Sequence, residues 1–414
     1  MIAFVGLSHL GLVHALATAA KGFEVTGFDP NPILVENVRC GDFPVFETGL
    51  QELLFHHSDR IHFTSNPEDL SSCELVFLSL DVPTNDDNES ELEPLQSLIS
   101  WAWTHLSPTA TCVVLSQVPP GFTRSLWLKK SVRHLFAQVE TLVFGNAVKR
   151  ALEPERFIVG CADPRDPLPS LYTQWLSAFD CPILPMRFES AELAKISINC
   201  FLVSSVTTAN TLAEICEHTG ADWSEIAPAL RLDRRIGPHA YLTPGLGIAG
   251  GNLERDLVTV RQLASRYGSD AKVVMAWQNN SRYRSAWALR QLHRVVLPRC
   301  SHPRIAVWGL TYKAETHSLK NSPAIDLISA LAPFKITAFD PVASDSSIHS
   351  ANLELAPTAL AACHKADVLI VMTPWKEFSQ IDPLMIQAEM CGRVIIDPFG
   401  IITAPGFTHL QLGH

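Results

Sequence analysis

The first 29 residues constrain the fold more than any other stretch of this chain. "MIAFVGL" is a short β-branched and aromatic run, "GLVHALATAAKG" carries helical periodicity and stops at Gly22, and "FEVTGFD" reads as a second strand. Strand, helix and strand in that order make a βαβ unit, whose strands lie parallel with the helix packed on one face. Further strands are expected at 74–80, 110–117 and 156–161, so a parallel, doubly wound sheet is the economical inference.

Strand signals fade between Glu189 and Tyr267. There "SAELAKISINCFLVSSVTTANTLAEICEHTG" runs with helical periodicity and without proline to Gly220. A helix well beyond the usual ~11 to 12 residues points to a domain bridge or an oligomer interface. After "LPRCSHP" the alternation resumes, with strands expected at 304–310, 335–341, 367–374 and 393–400. The expected fold class is α/β: two Rossmann-like doubly wound lobes, 1–185 and 298–414, joined by a helical central domain, 186–297, with a long connecting helix. A length of 414 residues, against ~150 for one domain, agrees with several domains. No tandem repeat or low-complexity segment interrupts the chain.

Composition narrows the partners. A hydrophobic content of 47% and a charged content of 18% suit packed cores. A net charge of −10, without long runs of one sign, disfavours a nucleic-acid partner and leaves room for a local anion pocket. With no evident apolar run of ~18 residues and no basic leader, no membrane association and a cytoplasmic location are expected. The ten cysteines show no CxxC pair and no zinc spacing, so they read as buried reduced thiols and no metal is expected.

The first turn reads Gly6, Ser8, Gly11, a GxSxxG variant of the dinucleotide fingerprint. Its context fits: it follows a strand, opens a helix, and Asp29 closes the next strand 18 residues after Gly11. A carboxylate there accepts both ribose hydroxyls and repels a 2′-phosphate, which favours NAD over NADP. Ser8 adds a Cβ where the second glycine normally lets the backbone approach the pyrophosphate, so weakened affinity is expected. The bland alternative is a glycine turn that binds nothing.

Several other blocks follow in order: "GDFPVFETGLQELL", "VPPGFTR" (118–124), "GNAVKRALEPERFIVG" (145–160), "AELAKISINCF" (191–201), "LDRRIG" (232–237), "PGLGIAGGNLERD" (244–256), "GLTYKAETHSLKNSPA" (309–324) and "TPWKEF" (373–378). With the first turn, this series resembles the UDP-glucose/GDP-mannose dehydrogenase family over nearly the whole chain. The resemblance implies NAD on the N-terminal lobe, the nucleotide of a sugar nucleotide on the C-terminal lobe, a UDP-sugar as the favoured substrate, and a homodimer built on the long helix. It implies two successive oxidations of a sugar alcohol, the second through a cysteine thiohemiacetal and thioester.

Residue by residue, the resemblance implies cofactor contacts at Gly6, Ser8, His9, Leu10, Gly11, Asp29, Pro83, Ser116 and Gln117. It implies catalytic roles for Lys195 and Asn199, one helical turn apart, for Asp256, which positions water or moves a proton, and for Glu140. Arg235, Gly250 and Lys313 are the implied substrate contacts, with Arg235 reaching across a subunit boundary. Taken singly, Lys195 reads as a surface lysine, Asn199 as a packing amide and Asp256 as a first-turn carboxylate; the ordered blocks favour the functional reading.

The chain also departs from the family pattern. Gln117 stands in place of the family's threonine, and "QVETLVFG" lacks the asparagine and proline that normally precede Glu140. His317, Ser318 and Lys320 replace an acidic pair and an arginine. Above all, the family's "GGSCFPKD" is here "AGGNLERD", so the nucleophilic cysteine is Asn252. An amide nitrogen is delocalised and no practical nucleophile, but Asn is a good helix N-cap. Cys200 is no substitute, because adjacent helical residues diverge by about 100° from Asn199.

A dehydrogenase limited to one two-electron oxidation, giving an aldehyde or a ketone, is therefore the expected function. The alternatives are an inactive nucleotide-sugar and NAD binder, and a four-electron oxidation to a uronate through an aldehyde hydrate. An ordinary hydroxy-acid dehydrogenase is disfavoured by the second α/β lobe.

Overall fold

The computed structural model describes residues 1–45, 47–130, 134–343 and 350–414. They group into two compact units, 1–198 and 199–414.

The first unit is built on an eight-stranded sheet: β1 (Ile2–Val5), β2 (Val25–Phe28), β3 (Ile61–Thr64), β4 (Leu75–Leu78), β5 (Thr111–Val114), β6 (Leu135–Gln138), β7 (Phe157–Cys161) and β8 (Ile183–Arg187). Their order is β3-β2-β1-β4-β5-β6-β7-β8. Every residue of β1, β2, β4, β5, β6 and β7 is buried, as expected for strands covered on both faces, which read as continuous apolar runs. The expected all-parallel sheet needs one correction: β6 and β7 pair antiparallel. They are joined through the segment that carries Glu140 and the short helix Ala147–Leu152.

The helix His9–Ala20 is buried along nearly its whole length because its apolar positions are mostly small or aliphatic and can lie flat on the sheet. Beneath it, Phe4 and Phe77 stack with ring centroids 4.7 Å apart, and Trp175 donates Nε1–H to Thr18 Oγ1 at 3.1 Å. That bond satisfies a polar atom that would otherwise be costly in a core. Strand order reverses between β1 and β4, so the crevice at their carboxyl ends is the site such a sheet offers a ligand.

The second unit carries a six-stranded sheet: β9 (Ile305–Trp308), β10 (Ile336–Phe339), β11 (Leu353–Leu355), β12 (Val368–Val371), β13 (Val394–Ile396) and β14 (Thr408–Leu410). The order is β11-β10-β9-β12-β13-β14, with every neighbour parallel. Helices Trp223–Leu232, Asn252–Tyr267 and Lys272–Ser285 precede it. Two Rossmann-like sheets and a helical middle are thus the architecture.

The long helix spans Phe188–Thr219, and the division between the units falls within it. By length and composition alone it is long and apolar enough to cross a membrane, which corrects the expectation that no such run exists. In the structure several of its polar groups are bound to protein: Asn210 Oδ1 accepts the Gly245 N–H at 2.7 Å, and Thr211 Oγ1 accepts from Asn280 at 3.0 Å. The buried Arg284 guanidinium lies 2.8 Å from Glu214 on the same helix. Along these residues the helix is anchored to the rest of its own unit.

Candidate active site

The candidate residues divide between the two units. In the first, Gly6 follows β1 with φ 99°, a left-handed conformation that suits glycine. Gly11 lies so close to that turn that a Cβ on it would stand 1.9 Å from Gly6 O. The third fingerprint glycine is therefore demanded by packing. Ser8, the N-cap of the helix His9–Ala20, has φ −73° and needs no glycine conformation.

Asp29, 8% exposed, accepts the N–H groups of Leu7 at 3.0 Å and Asn31 at 3.0 Å. A carboxylate offers about four acceptor positions, so two remain for a ribose diol. The tight turn, the helix N-terminus beside it and this carboxylate fit a dinucleotide. His9 is turned inward: its Nε2 lies 2.9 Å from Glu47, and its ring stacks on Phe144. Of the other expected cofactor contacts, Pro83 is exposed, Gln117 is half-buried, and Ser116 donates its hydroxyl to Leu80 O at 2.6 Å.

Glu140 follows β6 and lines a cavity of about 20 Å³ with Ser116, Gln117, Gln138, Glu192 and Lys195. Its Oε1 is buried without a hydrogen-bond partner among the described residues. Burial pushes its carboxyl up to about 7; the Lys195 ammonium opposes the shift, and Asp81 adds to it. Glu192, on the long helix, is 5% exposed and accepts the N–H groups of Gly121 and Thr123. That accounts for the "VPPGFTR" block as a loop anchored on the helix.

In the second unit, Asn199 and Asp256 meet: Asn199 Nδ2 donates to Asp256 Oδ2 at 2.6 Å, and both are buried. Arg255 Nε lies 3.8 Å from the other carboxylate oxygen. Asn252 opens the helix Asn252–Tyr267, but its N-cap is Gly251, and no side chain caps it. This corrects the expectation that Asn252 is the cap; Glu254, not Asp256, belongs to the first turn.

The loop before that helix is held instead by the 309–324 block. Lys320 O accepts the Gly250 N–H at 3.2 Å, and Asn321 Nδ2 donates to Gly250 O at 2.8 Å and to Glu254. The Tyr312 ring lies where a Gly250 Cβ would be, 2.9 Å away. Lys313 Nζ lies 5.9 Å from the Tyr312 ring centre, and Arg235 is exposed and ion-paired with Asp233. Cys200 packs on the cluster of Val203, Ile248, Leu257 and Val274, where burial, aided by Asp256, pushes its thiol up to about 11. Such a thiol is a poor nucleophile.

Sequence reading missed Asp81, Glu47, Tyr312 and Asn321. Asp81 had a signal: it lies just beyond the carboxyl end of β4, at the point where strand order reverses.

Three domain models of one family match the chain in order. They are described as the NAD binding domain (residues 1–176), the central domain (189–282) and the UDP binding domain (306–404) of the UDP-glucose/GDP-mannose dehydrogenase family. The chain is 28% identical over 431 aligned positions to a UDP-glucose 6-dehydrogenase of Rickettsia bellii, covering 100% of this chain and 99% of that protein. It is 27% identical to a UDP-glucose 6-dehydrogenase of Pseudomonas aeruginosa, covering 95% and 92%. Its fold matches a UDP-glucose dehydrogenase from Pyrobaculum islandicum with a TM-score of 0.87 at 24% identity, over 100% of this chain and 96% of that one. By these matches the chain belongs to the UDP-glucose/GDP-mannose dehydrogenase family of NAD-dependent oxidoreductases.

Proposed function

We propose that this protein oxidises the sugar alcohol of a UDP-sugar with NAD, and that it carries out a single two-electron oxidation to an aldehyde or ketone. The carrying observation is Asn252: the loop keeps its helix start and its backbone ties to Lys320 and Asn321, but no thiol stands at the family's nucleophile position. The match of 306–404 to a UDP binding domain supports the choice of nucleotide.

Bound NAD supplies the hydride acceptor. The protein's part is to hold the alcohol, take its proton and stabilise the alkoxide-like oxygen. Lys195 and Asn199 stand one turn apart on the long helix and serve as donors to that oxygen. The Asn199 amide has two N–H groups; Asp256 takes one, which orients the amide and leaves the other for substrate. Glu140, with its carboxyl near 7, is the proton acceptor of choice at neutral pH.

The division into 1–185, 186–297 and 298–414 belongs to this proposal, as does the homodimer. Phe201, Leu212 and Ile215 on the long helix are 76%, 42% and 50% exposed in the single chain, which supports an interface there. Arg235, exposed and ion-paired with Asp233, serves such a partner's site in this reading.

A panel of UDP-, GDP- and dTDP-sugars with NAD, following NADH and weighing the product, tests the reading. One NADH per sugar with an aldehyde or ketone supports it. Two NADH and a uronate would assign the second oxidation to an aldehyde hydrate, and no turnover with any sugar would leave a binding protein.

A further inference from the structure

Two side chains in the cofactor crevice form one constellation. Ser8 replaces the second fingerprint glycine, and Asp81 follows β4. The Ser8 hydroxyl accepts the Asp81 backbone N–H at 2.9 Å and donates to Ser79 O at 3.1 Å. These bonds fix the chain at Asp81 and leave its side chain over the first turn of the helix His9–Ala20. There Asp81 Oδ2 accepts the Leu10 N–H at 3.2 Å.

The first N–H groups of a helix have no partner within it, and in a dinucleotide domain they hold the cofactor's pyrophosphate. Here one of them already carries an anion. A carboxylate and a phosphate cannot both take the Leu10 N–H, and at contact distance their charges repel. Asp81 is exposed, so it is free to swing aside at the cost of the bond it now makes. Asp81 is also among the charges that raise the Glu140 carboxyl, so its field extends over the crevice.

We propose that Asp81 is a built-in competitor for the cofactor's pyrophosphate, aimed by Ser8 at the Leu10 N–H, and that it sets the affinity of this lobe for NAD. The proposal rests on the NAD assignment of the lobe and not on the oxidation chemistry. It gives Ser8 a purpose beyond tolerated bulk: without the hydroxyl, the Asp81 backbone loses its anchor.

The test is calorimetric titration of the full chain with NAD, ADP and adenosine. Asp81→Ala is expected to tighten NAD and ADP by about tenfold or more, a gain that shrinks as salt is raised, while adenosine changes by less than about twofold. Asp81→Asn, which keeps shape and acceptor but not charge, is expected to give a smaller gain and carries the test if the alanine variant does not fold. Ser8→Ala is expected to tighten NAD by roughly two- to fivefold. Unchanged or weaker NAD binding in both Asp81 variants overturns the proposal, as does an equal gain for adenosine. If wild type binds NAD and the variants gain nothing, the NAD assignment stands and this proposal falls; if no form binds NAD, both fall.

Discussion

The two α/β lobes open on the same frame and use it in opposite ways. In the first, Gly6 follows β1 with φ 99°, its N–H donates to Phe28 O at 2.8 Å, and the next N–H, of Leu7, donates to Asp29. In the second, Gly309 follows β9 with φ 89°, its N–H donates to Phe339 O at 2.8 Å, and the next N–H, of Leu310, donates to Asp340 at 2.7 Å. The difference lies in what the two carboxylates have left. Asp29 carries two backbone donors. Asp340 carries the N–H groups of Leu310, Thr311, Val342 and Ala343, the Thr311 hydroxyl and the Trp375 indole N–H.

Six donors fill a carboxylate that offers about four acceptor positions. In the second lobe the carboxylate of this frame is a staple for that lobe's own loops. Its glycine turn is also closed from the side: a Cβ on Gly309 would stand 2.4 Å from Thr373 Cβ. And the turn opens no helix, because 310–322 intervenes before the helix Pro323–Ala330. Similar topology thus does not imply a second dinucleotide site; the state of one carboxylate separates the two.

Asp340→Ala gives the largest effect expected from this contrast. Removing a buried acceptor that serves six donors should destabilise the 199–414 unit by about 3 to 5 kcal/mol, read as an early transition in urea unfolding, with no change in NAD affinity once folded. A loss below about 1 kcal/mol would break the comparison, because it would show that Asp340 is no more committed than Asp29.

Buried carboxylates sharpen the same contrast. Asp397 in the second lobe is raised by burial, yet it accepts the N–H groups of Phe399, Gly400 and Ile402. Glu140 in the first is raised to about 7 with Oε1 unpartnered. A carboxyl raised in the folded state costs nothing below its ordinary 4.5, where both states are protonated; the cost grows between about 4.5 and 7 and is constant above. Glu140→Gln should accordingly gain stability relative to wild type as pH rises through that window, by up to about 3 kcal/mol, while kcat for the sugar collapses. In wild type, kcat/KM should climb as pH passes through about 7. A pH-independent stability difference would show that burial puts no such cost on the Glu140 carboxylate.

Much of this contrast was legible in the sequence. Strand, fingerprint and helix follow from apolar runs and glycine spacing, because a buried parallel strand has no polar face to hide its signal. The strands missed are mainly edge strands: β3, β8, β11 and β14 have exposed or half-buried residues and a polar admixture, so their runs look like loop. Asp29 is a candidate by its spacing from the glycine turn, and Lys195, Asn199 and Asp256 are candidates by the ordered motif blocks. The Asn199–Asp256 bond was not legible, since a contact between residues 57 apart has no local pattern. Asn321 was invisible for a related reason: it acts through Gly250 and Glu254, neighbours brought in by the fold.

Asp29→Ala tests the open half directly. Losing an acceptor with two bonds to backbone should cost stability by about 1 kcal/mol, while NAD affinity falls by about ten- to a hundredfold, a difference of about 1.4 to 2.7 kcal/mol. Titration with NAD and with NADP gives the readout. Selectivity for NAD over NADP should shrink, since the charge that repels a 2′-phosphate is gone. Equal losses for both cofactors would mean that Asp29, like Asp340, serves mainly its own turn.

The smallest effect lies in the second lobe's intervening segment. Asn321 has φ 51°, an unusual conformation for a residue with a side chain, and its amide holds Gly250 O and Glu254. Asn321→Gly keeps the backbone conformation and removes the amide, so the strain is relieved as the bonds are lost. The net change in stability should be no more than about 1 kcal/mol. Amide exchange across 247–256 should nonetheless speed up, because the pin on that loop is the amide and not the backbone. NAD titration should be unchanged and KM for the sugar raised by a fewfold. Unaltered exchange would mean that the Gly250–Lys320 backbone bond suffices, and the 310–322 segment would then be spacer in the second lobe where the first has a helix.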